Sequence, residues 1–148
     1  MPVRFDFRLG PLLDHRKRVE EEKQRTFAAR RRAVDECRRE IERLAGQRRS
    51  AMEQLAHSAR AQSAAELRLR DAHLRCVELV INDERLRRGE LDVAYERARD
   101  ELIAAGRERR VVEKLKERRL RAFAAEATRF EERELDEANA RRREKCRA

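Results

Sequence analysis

The sequence predicts an all-α protein that folds as a long antiparallel two-helix coiled-coil hairpin. Charged residues make up 47% of the 148 residues and aromatic residues only 4%, which leaves too few large apolar side chains for a thick globular core. The uncharged residues are mostly Ala and Leu, two strong helix formers. Two long stretches repeat apolar residues every seven positions, which is the spacing of a coiled-coil seam. These observations exclude a sheet protein.

The first ten residues, 1–10, are expected to form an irregular N-terminal arm. Apolar and charged side chains alternate from Phe5 to Leu9, and Gly10 then interrupts the pattern. Pro11 follows, and proline suits the first turn of a helix because the missing amide proton would have no partner there. Helix one is therefore expected to cover residues 11–57.

Helix one carries two series of candidate core positions. Seven-residue spacing keeps side chains on one face, because a coiled coil has 3.5 residues per turn. Apolar residues dominate the seam from Phe27 to Leu55, and charged residues dilute it before that. The first series contains Leu13, Glu20, Phe27, Val34, Ile41, Arg48 and Leu55, and its companion contains Leu9, Arg16, Lys23, Arg30, Cys37, Leu44 and Ala51.

Helix two is expected over residues 66–140. The same two heptad positions hold there without a shift for 57 residues. Gly89 and Gly106 lie inside this stretch, and each costs about 1 kcal/mol relative to alanine. The candidate core positions are Leu74, Val77, Ile81, Glu84, Arg88, Leu91, Tyr95, Ala98, Leu102, Ala105, Arg109, Val112, Lys116, Arg119, Phe123, Glu126 and Phe130.

The chain is expected to reverse at residues 58–65, within outer limits of 56–73. Leu55 and Leu74 are 19 positions apart, which is not a multiple of 3.5, so the register breaks between them. Residues 56–65 also contain no large apolar side chain. The prediction is a monomeric hairpin that ends in a basic tail at 141–148. The alternative is one bent helix that dimerises with a second chain.

The sequence contains no motif for catalysis. A glycine-rich phosphate loop, a Cys-x-x-Cys pair and a nucleophile elbow are all missing. His73 and Cys76 are three residues apart, but a metal site needs three or four ligands. We therefore expect a protein that is not an enzyme and that holds no cofactor or metal. Cys37, Cys76 and Cys146 are expected to be free thiols in a reducing cytosol.

The net charge of +9 indicates an acidic partner. Residues 1–60 carry 16 basic and 10 acidic groups, and residues 106–148 carry 15 and 10, so a hairpin brings both basic segments to one end. Arginine clusters such as 30–32 and 141–143 could neutralise phosphates, but no aromatic residues accompany them for base stacking. A basic nucleic-acid-associated coiled coil and a general coiled-coil scaffold or homodimer remain as alternatives. No apolar run is long enough to span a membrane, and no secretory signal is expected.

Two segments resemble the FliJ family of flagellar export proteins. The first is Phe5-Asp6-Phe7-Arg8-Leu9-Gly10-Pro11-Leu12-Leu13-Asp14-His15-Arg16, followed by the run Glu20-Glu21-Glu22. The second comprises Glu113-Lys114-Leu115-Lys116-Glu117-Arg118, Phe123, Glu126 and Glu131-Glu132-Arg133-Glu134-Leu135-Asp136-Glu137. Arg133 stands where the family usually has lysine. The middle of the chain matches in heptad pattern alone.

The resemblance implies a stalk protein of the flagellar type III export apparatus, similar to the central-stalk (gamma) subunit of rotary ATPases. Its implied partners are the hexameric export ATPase FliI, the export gate protein FlhA and the export chaperones, with no specific nucleic acid. Its implied location is cytoplasmic, held peripherally at the inner-membrane export apparatus by protein partners. The injectisome stalk proteins of the YscO type share this plan, and the residues do not separate the two branches.

The resemblance also implies an ATPase contact where the two chain ends meet. Phe5 and Phe7 are informative because the chain has only six aromatic residues. The alternative is that both rings hold the arm on helix two near Phe123 or Phe130. The expected contact residues are Arg4, Phe5, Phe7, Leu9, Leu12, Leu13 and Arg16 from the arm and helix one, with Lys114, Leu115, Arg118, Arg119, Phe123 and Phe130 from helix two.

Overall fold

A computed structural model describes residues 4–146 except for the side chain of Ala59, and it contains two long helices. Helix α1 covers Gly10–Ser58, a short 3-10 turn covers Ala59–Ala61, and helix α2 covers Ala64–Lys145. The helices pack as an antiparallel hairpin, and no strand occurs within 4–146. The predicted all-α hairpin is confirmed. Helix α2 begins two residues before the expected position and continues through the first part of the expected basic tail.

A capping box starts α2. The Ser63 hydroxyl accepts a hydrogen bond from the Glu66 backbone N–H at 3.3 Å, and the Glu66 carboxylate accepts one from the Ser63 N–H at 2.8 Å. These two bonds satisfy donors that a helix start otherwise leaves unpaired. The hydrogen bond from the Ser63 N–H also lowers the pKa of the Glu66 carboxyl, because it favours the ionised form. The sequence Ser-Ala-Ala-Glu is the signal that would have placed this start.

The chain divides into two compact units, and the turn unit comprises Glu22–Ile103. Its seam contains the apolar and polar positions that the heptads predicted, except for Arg30 of α1, which was predicted as a core position and is exposed. The rings of Phe27 and Tyr95 lie 5.1 Å apart between centroids, across the two helices. Lys23 Nζ donates to the Glu101 carboxylate at 2.7 Å, which raises the pKa of the lysine and lowers that of Glu101. The buried side chains of the turn unit are Cys37, Leu44, Ile81 and Ala98.

The terminal unit comprises Met1–Glu21 and Ala104–Ala148. Phe7, Leu13 and Ala105 are its buried apolar side chains. The neighbouring layers of this seam contain charged side chains instead of apolar ones. Arg16 pairs with Glu108 across the helices, and Arg109 bridges Glu20 and Glu113.

Beyond Val112, only Phe123 of the predicted core positions of α2 is covered. Phe123 is partly buried, whereas Lys116, Arg119, Glu126 and Phe130 are exposed. Leu115 and Ala127, which were not predicted as core positions, are also partly buried. The reason is that α1 begins only at Gly10, so the facing chain segment is the irregular arm, and an arm without helical geometry cannot maintain seven-residue pairing. Every described residue of α2 from Thr128 onward is exposed, so this part of α2 has no packing partner within 4–146.

Candidate functional site

An aromatic cluster holds the arm against α2 in the terminal unit. The rings of Phe5 and Phe123 lie 5.6 Å apart between centroids at a tilted angle of 55°. The guanidinium carbon of Arg119 lies 5.9 Å from the centroid of the Phe7 ring, within range of a cation–π interaction. Phe7 exposes only 8% of its surface. These contacts agree with the alternative in which the two rings hold the arm on helix two at Phe123; Phe130 takes no part.

The predicted contact residues separate into packing residues and surface residues. Phe7 and Leu13 are buried, so their side chains contribute to the packing of the terminal unit. Partly buried residues are Phe5, Leu9, Arg16, Leu115 and Phe123. The side chains that face solvent are Arg4, Leu12, Lys114, Arg118, Arg119 and Phe130.

A shallow groove on the outside of α2 combines apolar and cationic groups. Its lining residues are Val111, Lys114, Leu115 and Arg118. Val111 exposes a large apolar side chain, and Lys114 and Arg118 are both exposed. No carboxylate within residues 4–146 forms an ion pair with either cation. We call these four residues the basic groove.

The charged layers behind the basic groove fix how α1 and α2 meet in the terminal unit. Arg109 donates from Nε to Glu20 and from Nη1 to Glu113, and the bond to Glu20 is the main reason for its raised pKa. Gly106 is buried beside this network, and a Cβ there would lie 3.3 Å from a Glu20 carboxylate oxygen. Glycine at this position therefore leaves the Glu20 carboxylate the room that it needs to reach Arg109.

A second surface, which the sequence interpretation missed, lies on the outer face of α2 in the turn unit. Leu79, Leu86 and Val93 are spaced by seven residues and expose 64%, 73% and 62% of their surfaces. The exposed carboxylates of Asp83 and Glu90 lie between them. We call these five residues the outer stripe. The signal was present in the sequence, because the three apolar residues recur at the heptad position opposite the seam.

The cysteine thiols and the His73 imidazole form no metal site within the described part of the chain. Within residues 4–146, no three His, Cys, Asp or Glu side chains are grouped closely enough to hold a metal ion. Cys37 is buried, and burial raises the pKa of its thiol above the ordinary value; its Sγ–H donates to the Glu84 carbonyl oxygen at 3.4 Å. Cys76 and Cys146 are free and exposed.

No helix in the described part of the chain could cross a membrane.

Comparison with known proteins identifies the family of this chain. The family model described as "Flagellar FliJ protein" matches residues 5–145, which is nearly the whole chain. The chain belongs to the FliJ family. Neither the curated proteins nor the solved structures contain a match to it.

Membership of the FliJ family assigns the chain a role related to flagellar export. The match includes the arm, both helices and the charged C-terminal part of α2, so it covers the aromatic cluster, the basic groove and the outer stripe together. The family is a non-catalytic component of export, in agreement with the prediction that the chain is not an enzyme.

Proposed function

We propose that this FliJ-family chain is the stalk of the flagellar export ATPase. In this proposal its terminal unit binds a hexameric, FliI-like ATPase, and the chain couples that ATPase to an FlhA-like export gate and to export chaperones. The chain is then cytoplasmic and peripheral to the inner membrane through its protein partners. The observation that carries the proposal is the basic groove, which lies in the terminal unit, on α2 just before the residues that the N-terminal arm contacts.

The chemistry of the basic groove suits a protein contact. Val111 and Leu115 supply apolar surface, and burying apolar surface drives most protein association. Lys114 and Arg118 supply charge at the rim, where charge mainly governs the association rate and partner choice. A partner surface that carries acidic side chains opposite Lys114 and Arg118 would match this arrangement.

The inward contacts of the terminal unit support the groove from behind. Ring contacts hold the arm, and the Arg109 network holds α1 against α2. Such pre-organisation favours binding, because fewer side chains and segments must become ordered in the complex. Phe5, Phe7 and Leu13 accordingly act in this proposal by positioning the surface and not by contacting the ATPase.

Charge reversal in the basic groove tests the proposal. Reversal of Arg16 or Arg119 would also disturb packing in the terminal unit, because Arg16 pairs with Glu108 and Arg119 lies over Phe7. The double variant Lys114→Glu/Arg118→Glu removes exposed charges only, and surface substitutions usually change stability by within about 0.5 kcal/mol. We expect an unchanged thermal midpoint and loss of ATPase stimulation.

A matched control reverses two exposed cations in the turn unit, Arg31→Glu/Arg32→Glu. It keeps the same net charge as the test variant and should stimulate the partner ATPase as the wild type does. Full stimulation by Lys114→Glu/Arg118→Glu, or equal loss in both variants, would contradict an ATPase contact at the basic groove.

A further inference from the structure

The outer stripe alternates apolar and acidic side chains on one face of α2. Leu79, Leu86 and Val93 lie seven residues apart, and Asp83 and Glu90 lie between them at steps of three and four residues. Residues three and four apart are neighbours on a helix surface. The face therefore presents apolar, acidic, apolar, acidic and apolar groups in order along the helix, on the side opposite the hairpin seam.

The two carboxylates of the outer stripe have no cation bound to them within the described chain. Arg87, which lies beside both, pairs instead with Glu84 at 3.5 Å. The next arginine, Arg88, pairs with Asp92 at 3.6 Å. Asp83 and Glu90 are thus available to a cation from outside.

Gly89 adds room for close approach beside the stripe. It lies in the middle of α2, where glycine costs about 1 kcal/mol relative to alanine. A Cβ at this position would meet nothing within 4 Å, so packing inside the chain does not require a glycine. A partner helix that crosses next to Leu86 could approach the backbone of α2 closely there, because Gly89 has no side chain.

We infer that the outer stripe docks a basic amphipathic helix of a partner protein, whose apolar residues pack on Leu79, Leu86 and Val93 and whose Lys or Arg side chains face Asp83 and Glu90. Seven-residue spacing fits a helix as the partner, because a helix repeats its own apolar face at the same interval. The acidic groups select a basic one.

Other occupants fit the outer stripe less well. A second copy of this chain would bring the same carboxylates, and these would face either apolar side chains or each other without a cation, which is costly when buried. An anionic membrane surface would repel them. This site lies in the turn unit and is separate from the ATPase contact proposed in the terminal unit, so either proposal can fail without the other.

Two synthetic helical peptides test the inference with the full chain. One peptide alternates leucine and lysine along its seam at steps of three and four residues, and the other has glutamate in place of each lysine. Fluorescence anisotropy should show the lysine peptide binding wild type about tenfold more tightly or better, as expected for matched against opposed charge. The double variant Asp83→Lys/Glu90→Lys should reverse this preference and bind the glutamate peptide.

The control variant is Asp35→Lys/Glu42→Lys, which reverses two exposed carboxylates that are also seven residues apart but lie on α1. It should keep the wild-type preference for the lysine peptide. Gly89→Leu should weaken binding of that peptide by blocking close approach while leaving the helical circular dichroism signal unchanged. Leu86→Asp should abolish the binding.

Three results would overturn the inference. The first is equal affinity of wild type for the two peptides, and the second is a preference that Asp83→Lys/Glu90→Lys does not reverse. The third is self-association in sedimentation runs that Leu86→Asp abolishes, since the stripe would then be an interface between copies of the chain.

Discussion

At the scale of single residues, charged side chains hold positions that a coiled coil usually gives to apolar ones. Arg16 and Glu20 face α2 in the terminal unit, and each meets an opposite charge there. Polar groups at core positions generally reduce stability and fix the register of pairing. The network around Arg109 is the most shielded of these layers, with side chains that are largely covered.

Loss of Arg109 should destabilise the terminal unit. In Arg109→Met, Glu20 and Glu113 would face each other without the cation that now bridges them. We expect a fall of several degrees in the thermal midpoint, followed by circular dichroism. Arg107→Met, which removes an exposed arginine two residues away, should leave the midpoint nearly unchanged. Equal effects of the two variants would show that the network contributes nothing.

Cysteine reactivity should follow burial. Cys37 is buried, with a thiol pKa raised above its ordinary value, so little reactive thiolate is present at neutral pH. We expect a thiol reagent such as iodoacetamide to modify Cys76 and Cys146 in the folded chain and to reach Cys37 only after denaturant is added. Mass spectrometry of the timed reaction gives the order, and early modification of Cys37 would contradict the packing of the turn unit.

At the scale of elements, the capping box decides where α2 begins. Ser63→Ala removes the acceptor for the Glu66 N–H, and loss of a serine N-cap typically costs about 1 kcal/mol. Urea unfolding should show this loss, whereas Ser50→Ala, at an exposed position inside α1, should show none. A Ser63→Ala variant as stable as wild type would mean that the cap does not stabilise the helix.

Part of this stabilisation should depend on pH. Folding lowers the pKa of Glu66 below its usual value of 4.5, so the contribution is complete above pH 4.5 and is lost as the pH falls through the lower folded pKa. Glu66→Gln should therefore be less stable than wild type at pH 7, and the difference should shrink in acid. Urea titrations at pH 7 and pH 3 compare the two, and a difference that does not change with pH would contradict the cap as the cause.

At the scale of the whole molecule, the net charge of +9 is compatible with both the stalk hypothesis and nucleic-acid binding. The salt dependence of binding separates the two. A basic coiled coil binds DNA weakly at low salt, because phosphate contacts release counterions, and this term falls steeply as salt increases. We expect DNA binding to vanish near physiological salt while ATPase binding persists. Retained tight DNA or RNA binding under those conditions, measured by anisotropy, would favour the nucleic-acid alternative.

Local patterns in the sequence determined the two helices, the face of each that forms the seam, and the region where the chain reverses. Seven-residue spacing placed Leu13, Cys37, Leu44 and Ile81 in the seam, and the broken register after Leu55 placed the reversal. These features were predictable because helical periodicity and turn formation depend on neighbours a few residues away. The phrases at the two ends of the chain likewise indicated the FliJ family, whose model matches residues 5–145.

Only the tertiary structure decided which side chains meet across the hairpin. The sequence put Arg16 and Glu20 at core positions, but it could not show that Glu108 and Arg109 lie opposite them. Nor could it show that Phe5 packs on Phe123, or that the other predicted core positions of α2 beyond Val112 are exposed. Such pairings depend on the length of the turn and on where α1 begins, and a shift of a few residues in either one changes every cross-helix contact.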